Sequence, residues 1–189
     1  MGKPLPPEPA LFFTGILYTD HAHLAKAKEI LIKLFGPAFM ETPPFNWDYS
    51  DYYKEELGSG IMRTFMFFEN LINPEDIVDI KLKTNNIEDS LSVDGKRRIN
   101  LDPGYLTLSN LVLATTKNYS HRIYLGKGIY GEVTLIYKDK TFIPHIFTYT
   151  DYQDKNCIEM FINARTLLKK ALDNNLTSIF LHNTTRLSL

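Results

Sequence analysis

A single cysteine, Cys157, is all that the 189 residues contain. That scarcity excludes an intrachain disulfide and any zinc site built from several thiolates. An excess of charge of either sign is missing too, since 21 Lys and Arg stand against 22 Asp and Glu. Without a global field to draw the chain to nucleic acid or to a membrane surface, any anion site must be local. No apolar run approaches the roughly 20 residues of a bilayer span, so no membrane partner is expected. The start, MGKPLPPEPA, offers four prolines and then only the short apolar run from Leu11 to Phe13, which is not the pattern of a secretory leader. Pro6 also stands where N-terminal myristoylation wants Ser or Thr. These absences predict a cytoplasmic protein, in which the glycosylation-like triplets at Asn118, Asn175 and Asn183 carry no weight.

What is present suits one compact domain. With 44% hydrophobic and 23% charged residues, a chain of this length buries roughly 70% of its unfolded surface. Twelve Phe and eleven Tyr favour a β-rich or mixed domain, because rings pack well on pleated surfaces. Residues 1–9 read as a flexible Pro-rich arm and 10–189 as a single α+β domain. Ala10 to Tyr18 suggests a buried strand. Asp20 then caps a helix with Leu24, Ala27, Leu31 and Leu34 on one face, stopped by Gly36-Pro37. A hairpin follows from PFNWDYSDYY and GIMRTFMFFE through KEELGSG, and Asn73-Pro74 opens a helix carrying Ile77, Ile80, Thr84, Ile87 and Leu91.

Beyond the basic loop DGKRR, Asp102-Pro103-Gly104 reads as a turn and LVLATT as a strand. HRIYL and GIYGEVTLIY alternate around Gly126-Lys127-Gly128, and TFIPHIFTYTDY supplies another strand. A last helix runs from about Asn156 to Leu172, and the tail from Asn174 onward adds at most one short strand. The predicted architecture is therefore α+β: a mainly antiparallel twisted sheet with about three helices and a ferredoxin-like βαββα start. The alternative is a partly closed β-barrel, built from the strands of 98–150 and flanked by helices.

The segment ATTKNYSHRIYLGKGIYGEVTL concentrates Lys117, His121, Arg122 and Lys127 in an otherwise balanced chain. Read as a hairpin, it pairs Leu125 with Ile129, Tyr124 with Tyr130 and Arg122 with Glu132. Ile123, Leu125, Ile129, Val133 and Leu135 fall on an apolar face that ends at His121. Arg122, Tyr124, Tyr130, Glu132 and Thr134 fall on a polar one. The plain interpretation is an exposed cross-strand ion pair worth under about 1 kcal/mol. The neighbourhood supports a richer one. Arg97, Arg98 and Asp102 lie upstream, Lys117 ends LATTK, and Tyr149 and Asp151 close the next strand. Cations around a carboxylate and tyrosines suit a ligand with anionic oxygens and hydrogen-bonding groups, such as a nucleotide or sugar phosphate. Arg98, Lys117, Arg122, Tyr124, Tyr149 and Asp151 are then candidate ligand-binding residues, and Glu132, Asp102 and His121 candidate catalytic ones. Arg98, Lys117, Arg122, Glu132 and Asp102 are expected to converge on one cleft.

The runs RINLDPGYL, LATTK, HRIYL, GIYGEVTL and TYTDY, with DYYKEELG and KTNNIE before them, resemble the bacterial and archaeal family catalogued as domain of unknown function 4416. The resemblance extends from about Leu11 to Leu172, with Leu57 and Thr150 where Met and Pro are more usual. It implies a small stand-alone protein with no established activity, some of whose relatives carry the label "GTP-binding protein". The residues do not supply a P-loop for that label: neither Gly58-Ser59-Gly60 nor Gly126-Lys127-Gly128 completes GxxxxGK[ST], and Asp-x-x-Gly and Asn-Lys-x-Asp are absent.

Other chemistry finds little footing. His21 and His23 are two apart at a helix start and do not share a face, so no metal site is expected. Cys157 reads as a quiet thiol, Asp102 taken alone as a turn cap, and Glu88 as a solvated helix residue. No motif names a cofactor, a reaction or an oligomeric state. Three classes of function follow: a small cytosolic protein binding a phosphate-containing ligand in a basic cleft, an RNA-binding accessory protein, and a non-catalytic interaction module. A basic cleft with a central carboxylate favours the first, a broad basic face with exposed aromatics the second, and a large dry apolar patch the third.

Overall fold

The computed structural model describes residues 2–50 and 53–179. In chain order its elements are β1 (Ala10–Tyr18), α1 (His21–Phe35), β2 (Ala38–Glu41), β3 (Phe45–Asn46), α2 (Lys54–Leu57), β4 (Met62–Ile72) and α3 (Ile77–Ser90). Then come β5 (Ile99–Leu106), β6 (Asn110–Thr115), β7 (Ile123–Gly126), β8 (Ile129–Lys138), β9 (Thr141–Pro144), α4 (Thr150–Gln153) and α5 (Lys155–Asp173). The strands form one antiparallel sheet in the order β2-β4-β1-β5-β6-β8-β7, with β3 also on β4 and β9 also on β8. Within it, β1-α1-β2-β4-α3-β5 lies in the spatial order β5-β1-β4-β2, the split arrangement of a ferredoxin-like unit. The sheet stays open, which removes the barrel alternative.

Alternation along the central strands creates two apolar faces. Phe12, Ile16, Met66 and Phe68 meet Leu24 and Leu31 of α1 and Ile77, Ile80 and Ile87 of α3. Leu11, Phe13, Phe65 and Phe67 meet Phe161, Ala164 and Leu168 of α5 on the other side. The Phe161 ring lies 5.0 Å from Phe13 and 5.7 Å from both Phe65 and Phe67, edge to face. Burying one such ring is worth about 1.5 to 3 kcal/mol. Asp20 caps α1 by accepting from the Ala22 amide at 2.9 Å, and Gly36 ends it at φ 92°, the left-handed region. Leu34, expected on the buried face, is exposed.

Several boundaries differ from expectation. The predicted first hairpin strand shrinks to β3, and β2 just before it pairs with β4 as well. KEEL, expected in the loop, forms the short helix α2. Pro74 opens a 3-10 turn, so α3 begins at Ile77. A bulge at Leu125 and Gly126 shifts the β7 register. Tyr124 faces Tyr130 as expected, but Gly126, not Leu125, faces Ile129, and His121 and Arg122 precede the strand. Ile123 and Leu125 are exposed instead of forming an apolar buried face. TYTDY is not the end of a strand, since β9 stops at Pro144 and Thr150 begins α4. The expected short tail strand reduces to one bridge, Asn70 with Ser178, and beyond 179 it lies outside the described residues.

The most consequential difference is at Asp102-Pro103-Gly104, which is no turn but the middle of β5. Its pairing with β1 is unbroken from Ile99 to Leu106. On the opposite edge, pairing with β6 runs only from Leu106 to Gly104. Thr107 donates to Asn110 across that edge, and alternation turns the backbone groups of Tyr105, Pro103 and Leu101 the same way. Pro103 has no N–H to give β6, and there the ladder ends. The sheet splits, and the backbone of Leu101 is left facing the gap. Two side chains of α3 take the place of β6: Glu88 accepts from the Leu101 amide, and Lys81 donates to the Leu101 carbonyl at 2.9 Å. Glu88 is thus a buried residue, not a solvated one.

Candidate functional site

The split between β5 and β6 opens a cavity of about 90 Å³. One wall is Asn100 and Asp102 of β5, the other runs from Leu113 to Lys117 and includes Glu132 of β8, and Trp47, Tyr53 and Tyr149 stand over it. At its base is Arg63 of β4, whose side chain donates to Asp102 at 2.9 Å and to the Tyr152 hydroxyl at 3.0 Å and lies 3.4 Å from Asp151. Its guanidinium also lies over the Phe65 ring at 4.8 Å. Burial opposes the charge on Arg63, but Tyr152, Asp151 and Asp102 outweigh it and hold the group above its usual pKa. Room for this guanidinium comes from β1, where a Cβ on Gly15 would lie 2.6 Å from Arg63 Nη2.

The three cavity carboxylates are each held from behind. Asp102 accepts from Arg63 and, at 2.9 Å, from Asn100. Asp151 accepts from the Trp47 indole at 3.2 Å and, at 3.1 Å, from the Tyr152 amide. Glu132 receives Arg122 Nε at 2.6 Å and meets His121 Nε2 at 3.0 Å, both on Oε2. Among the described residues no protein donor reaches Glu132 Oε1. Arg122 continues to the Tyr149 hydroxyl at 2.7 Å and to the Lys117 carbonyl at 3.0 Å. Burial works against its charge too, yet Glu132 and Tyr149 raise its pKa above the ordinary value. Arg97 bonds Glu56 at 2.8 Å and Asn100 at 3.0 Å, with Glu88 at 3.4 Å.

Of the residues expected from sequence, Asp102, Lys117, Glu132, Tyr149 and Asp151 line this one cavity. Arg122 and His121 do not line it but grip Glu132 from outside. The Arg122–Glu132 pair is not the exposed bridge of the plain interpretation, because both side chains are only 3% exposed. Arg98 does not line the cavity: it sits at a bend just before β5, and its neighbours Arg97 and Asn100 line the cavity instead. Tyr124 lies outside as well, exposed on β7 and packed on Tyr130 at 5.3 Å. Lys127 pairs with Asp79 on α3 at 2.6 Å.

Arg63, Lys81, Asn100, Trp47 and Tyr53 also line the cavity without having been expected from sequence, and Arg97, noted upstream, was not among the candidates. Two of them left a trace. Arg63 is the lone charge in GIMRTFMFFE, and Lys81 adjoins the apolar stripe of Ile77, Ile80 and Ile87. Cys157 belongs to the apolar cluster beside α5, and burial pushes its thiol far above the range of a reactive one. Among the described residues no three His, Cys, Asp or Glu side chains are placed to hold a metal ion, and no helix is long and apolar enough to cross a membrane.

No curated protein and no solved structure matches the chain significantly. The family described as Domain of unknown function (DUF4416) matches residues 8–167, which takes in every strand, the whole cavity and most of α5. The chain therefore belongs to the DUF4416 family.

Proposed function

We propose that the protein binds a small phosphate-bearing ligand in the cavity between β5 and β6. One observation carries the reading: Arg63, Lys81, Glu132 and Asp151, each at least 93% buried, converge on a cavity that opens to solvent. Burying charges costs several kcal/mol each, and apolar residues of similar volume stabilise a fold equally well or better. Such a concentration of ionisable groups at a concave site marks a place where polar chemistry is used. The lining adds Arg97 and Lys117 to two of these cations and Asp102 to two of these carboxylates, so cations outnumber carboxylates by four to three. The cleft is mixed in charge, not simply basic. Lys117, exposed at the end of β6 beside Thr115 and Thr116, supplies the anion contact at the mouth.

Glu132 and Asp102 line the cavity and are the groups that would accept a ligand proton, while His121 acts through Glu132 as a positioning residue. A thermal-shift screen over nucleotides, sugar phosphates and short RNAs tests the reading. A ligand at 100 times its dissociation constant adds about 2.7 kcal/mol of stability, and Lys117→Ala is expected to abolish most of that gain. A screen in which only RNA responds, or nothing does, rejects it.

A further inference from the structure

We infer that the proline-rich arm of one protomer docks into an aromatic pocket of a second copy, at a site separate from the cavity between β5 and β6. Residues 2–9, GKPLPPEP, have no secondary structure and are exposed throughout, Leu5 by 84%. Every residue from Lys3 to Pro9 is either a proline or stands directly before one. Proline fixes its own φ and pushes its predecessor to extended backbone, so the run is held in a polyproline II helix. Three residues make one turn, which sets Pro4 on the same edge as Pro7, and Pro6 on the same edge as Pro9. An arm so ordered loses little entropy on docking, the property that aromatic-lined grooves exploit when they bind PxxP segments.

The chain carries a pocket of matching chemistry. Its volume of about 500 Å³ falls within the roughly 300–1,000 Å³ of ligand pockets. The lining combines Pro43, Pro44, Phe45 and Tyr49 with Phe65 of β4 and Met160 of α5. Among the described residues Asp154 is the only charge in that lining. It caps α5 by accepting from the Asn156 amide at 2.8 Å, and among the described residues no cation pairs with it. Lys3, at the far end of the arm, supplies the opposite charge.

Reach decides whose arm it is. Ala10 pairs with Ile72 and Gly15 with Phe65, so Phe65 lies five residues along β1 from the root of the arm, roughly 17 Å at about 3.4 Å per residue. Leu5, Pro6 and Pro7 stand five, four and three residues from the same root, at most about 16 Å away at roughly 3.1 Å per residue. The arm also leaves Ala10 in the direction away from Gly15, and a run held extended has no turn with which to come back. Its own pocket is out of range. Exchange between two copies about a twofold axis fills both pockets with both arms.

The test is sedimentation velocity on the full chain over a range of concentrations. A reversible dimer is expected, and an excess of the synthetic peptide GKPLPPEPA should dissociate it. Leu5→Ala combined with Pro6→Ala, both exposed and outside every element, should weaken the dimer roughly tenfold or more. Lys3→Glu and Asp154→Lys should each weaken it several-fold, and the two together should recover most of the loss, which a merely structural role for Asp154 would not allow. Because Asp154→Lys also removes a helix cap, Asp154→Asn keeps the cap without the charge and should weaken the dimer as well. A monomer at every concentration, or a dimer indifferent to the arm, overturns the inference. So does a monomer whose arm variant binds the peptide while the wild type does not, since that result puts the arm in its own pocket.

Discussion

One face of the sheet has two ends that share strands and little else. On β4, Phe67 and Phe65 are followed by Arg63; on β1, Leu11 and Phe13 by Gly15; on β5, Leu106 by Asp102. At one end these positions meet Phe161 and Leu168 of α5 in a close-packed aromatic core. At the other they meet Asp151 and Tyr152 of α4 in an ion cluster with an opening to solvent. Alternation dictates which side chains face inward at both ends, but the inward residues change from rings to charges within two positions. The aromatic end is explained by stability alone. The charged end is not, since the same backbone could have carried Leu and Met there.

The largest expected effects test that contrast directly. Phe161→Ala and Arg63→Ala should each cost about 3 to 5 kcal/mol in urea unfolding, the first by opening a cavity and the second by stranding Asp102 and Asp151. The two ends part company on rescue. Combining R63M, D102L and D151L should return stability to wild type or about 1 to 4 kcal/mol above it while abolishing ligand binding. A triple variant as unstable as Arg63→Ala would show that the charges are needed for folding after all.

A smaller effect is expected at Gly15, where a Cβ would press on the Arg63 guanidinium. Gly15→Ala should cost about 1 to 3 kcal/mol by overpacking. In the Arg63→Met background much of that cost should disappear, and a double-mutant cycle giving a coupling near zero would sever the two residues.

Smallest of all is a pH effect at Glu88. Burial, opposed by Lys81 and the Leu101 amide, holds its carboxyl above the usual range. A raised native pKa means that the folded state grips the proton more tightly than the unfolded one. Its stabilising contribution is complete below about 4.3, the ordinary glutamate value, and disappears as pH rises through the raised value. Glu88→Gln removes that dependence, so its stability relative to wild type should climb across this window and then level off. Denaturation at a series of pH values reads the difference, and parallel curves would count against a raised Glu88.

Local chemistry made much of this legible in the sequence. β1, α1, α3, β6, β8 and α5 announce themselves through apolar period, the Asp20 cap and the stop at Gly36. Lys117, Glu132, Asp102, Tyr149 and Asp151 were found because hairpin alternation and simple proximity along the chain brought them into one list, and they do share a cavity. Arg63, Lys81 and Trp47 come from distant segments, Trp47 and Asp151 being 104 positions apart, and only the tertiary fold places them there. Asp102-Pro103-Gly104 misleads for a related reason. Proline and glycine break secondary structure in isolation, whereas here Pro103 breaks only one edge of a strand whose other edge is fully paired. Gly104 is kept small by the Val112 carbonyl, which would lie 2.6 Å from any Cβ.

The break at Pro103 also sets the mechanics of the sheet. Two plates, β2-β4-β1-β5 on one side and β6-β8-β7 with β9 on the other, meet along only three residue pairs: Gly104 with Leu113, Tyr105 with Val112 and Leu106 with Leu111. Bending compliance concentrates at so short a seam. Helices cover the seam on both faces: α3 packs on β5, β6 and β8 together, and α5 packs into one apolar cluster with residues of both plates. A rotation of a few degrees about the seam would change the distance between Asp102 on one plate and Glu132 on the other, and α3 and α5 brace the aperture of the cavity against it.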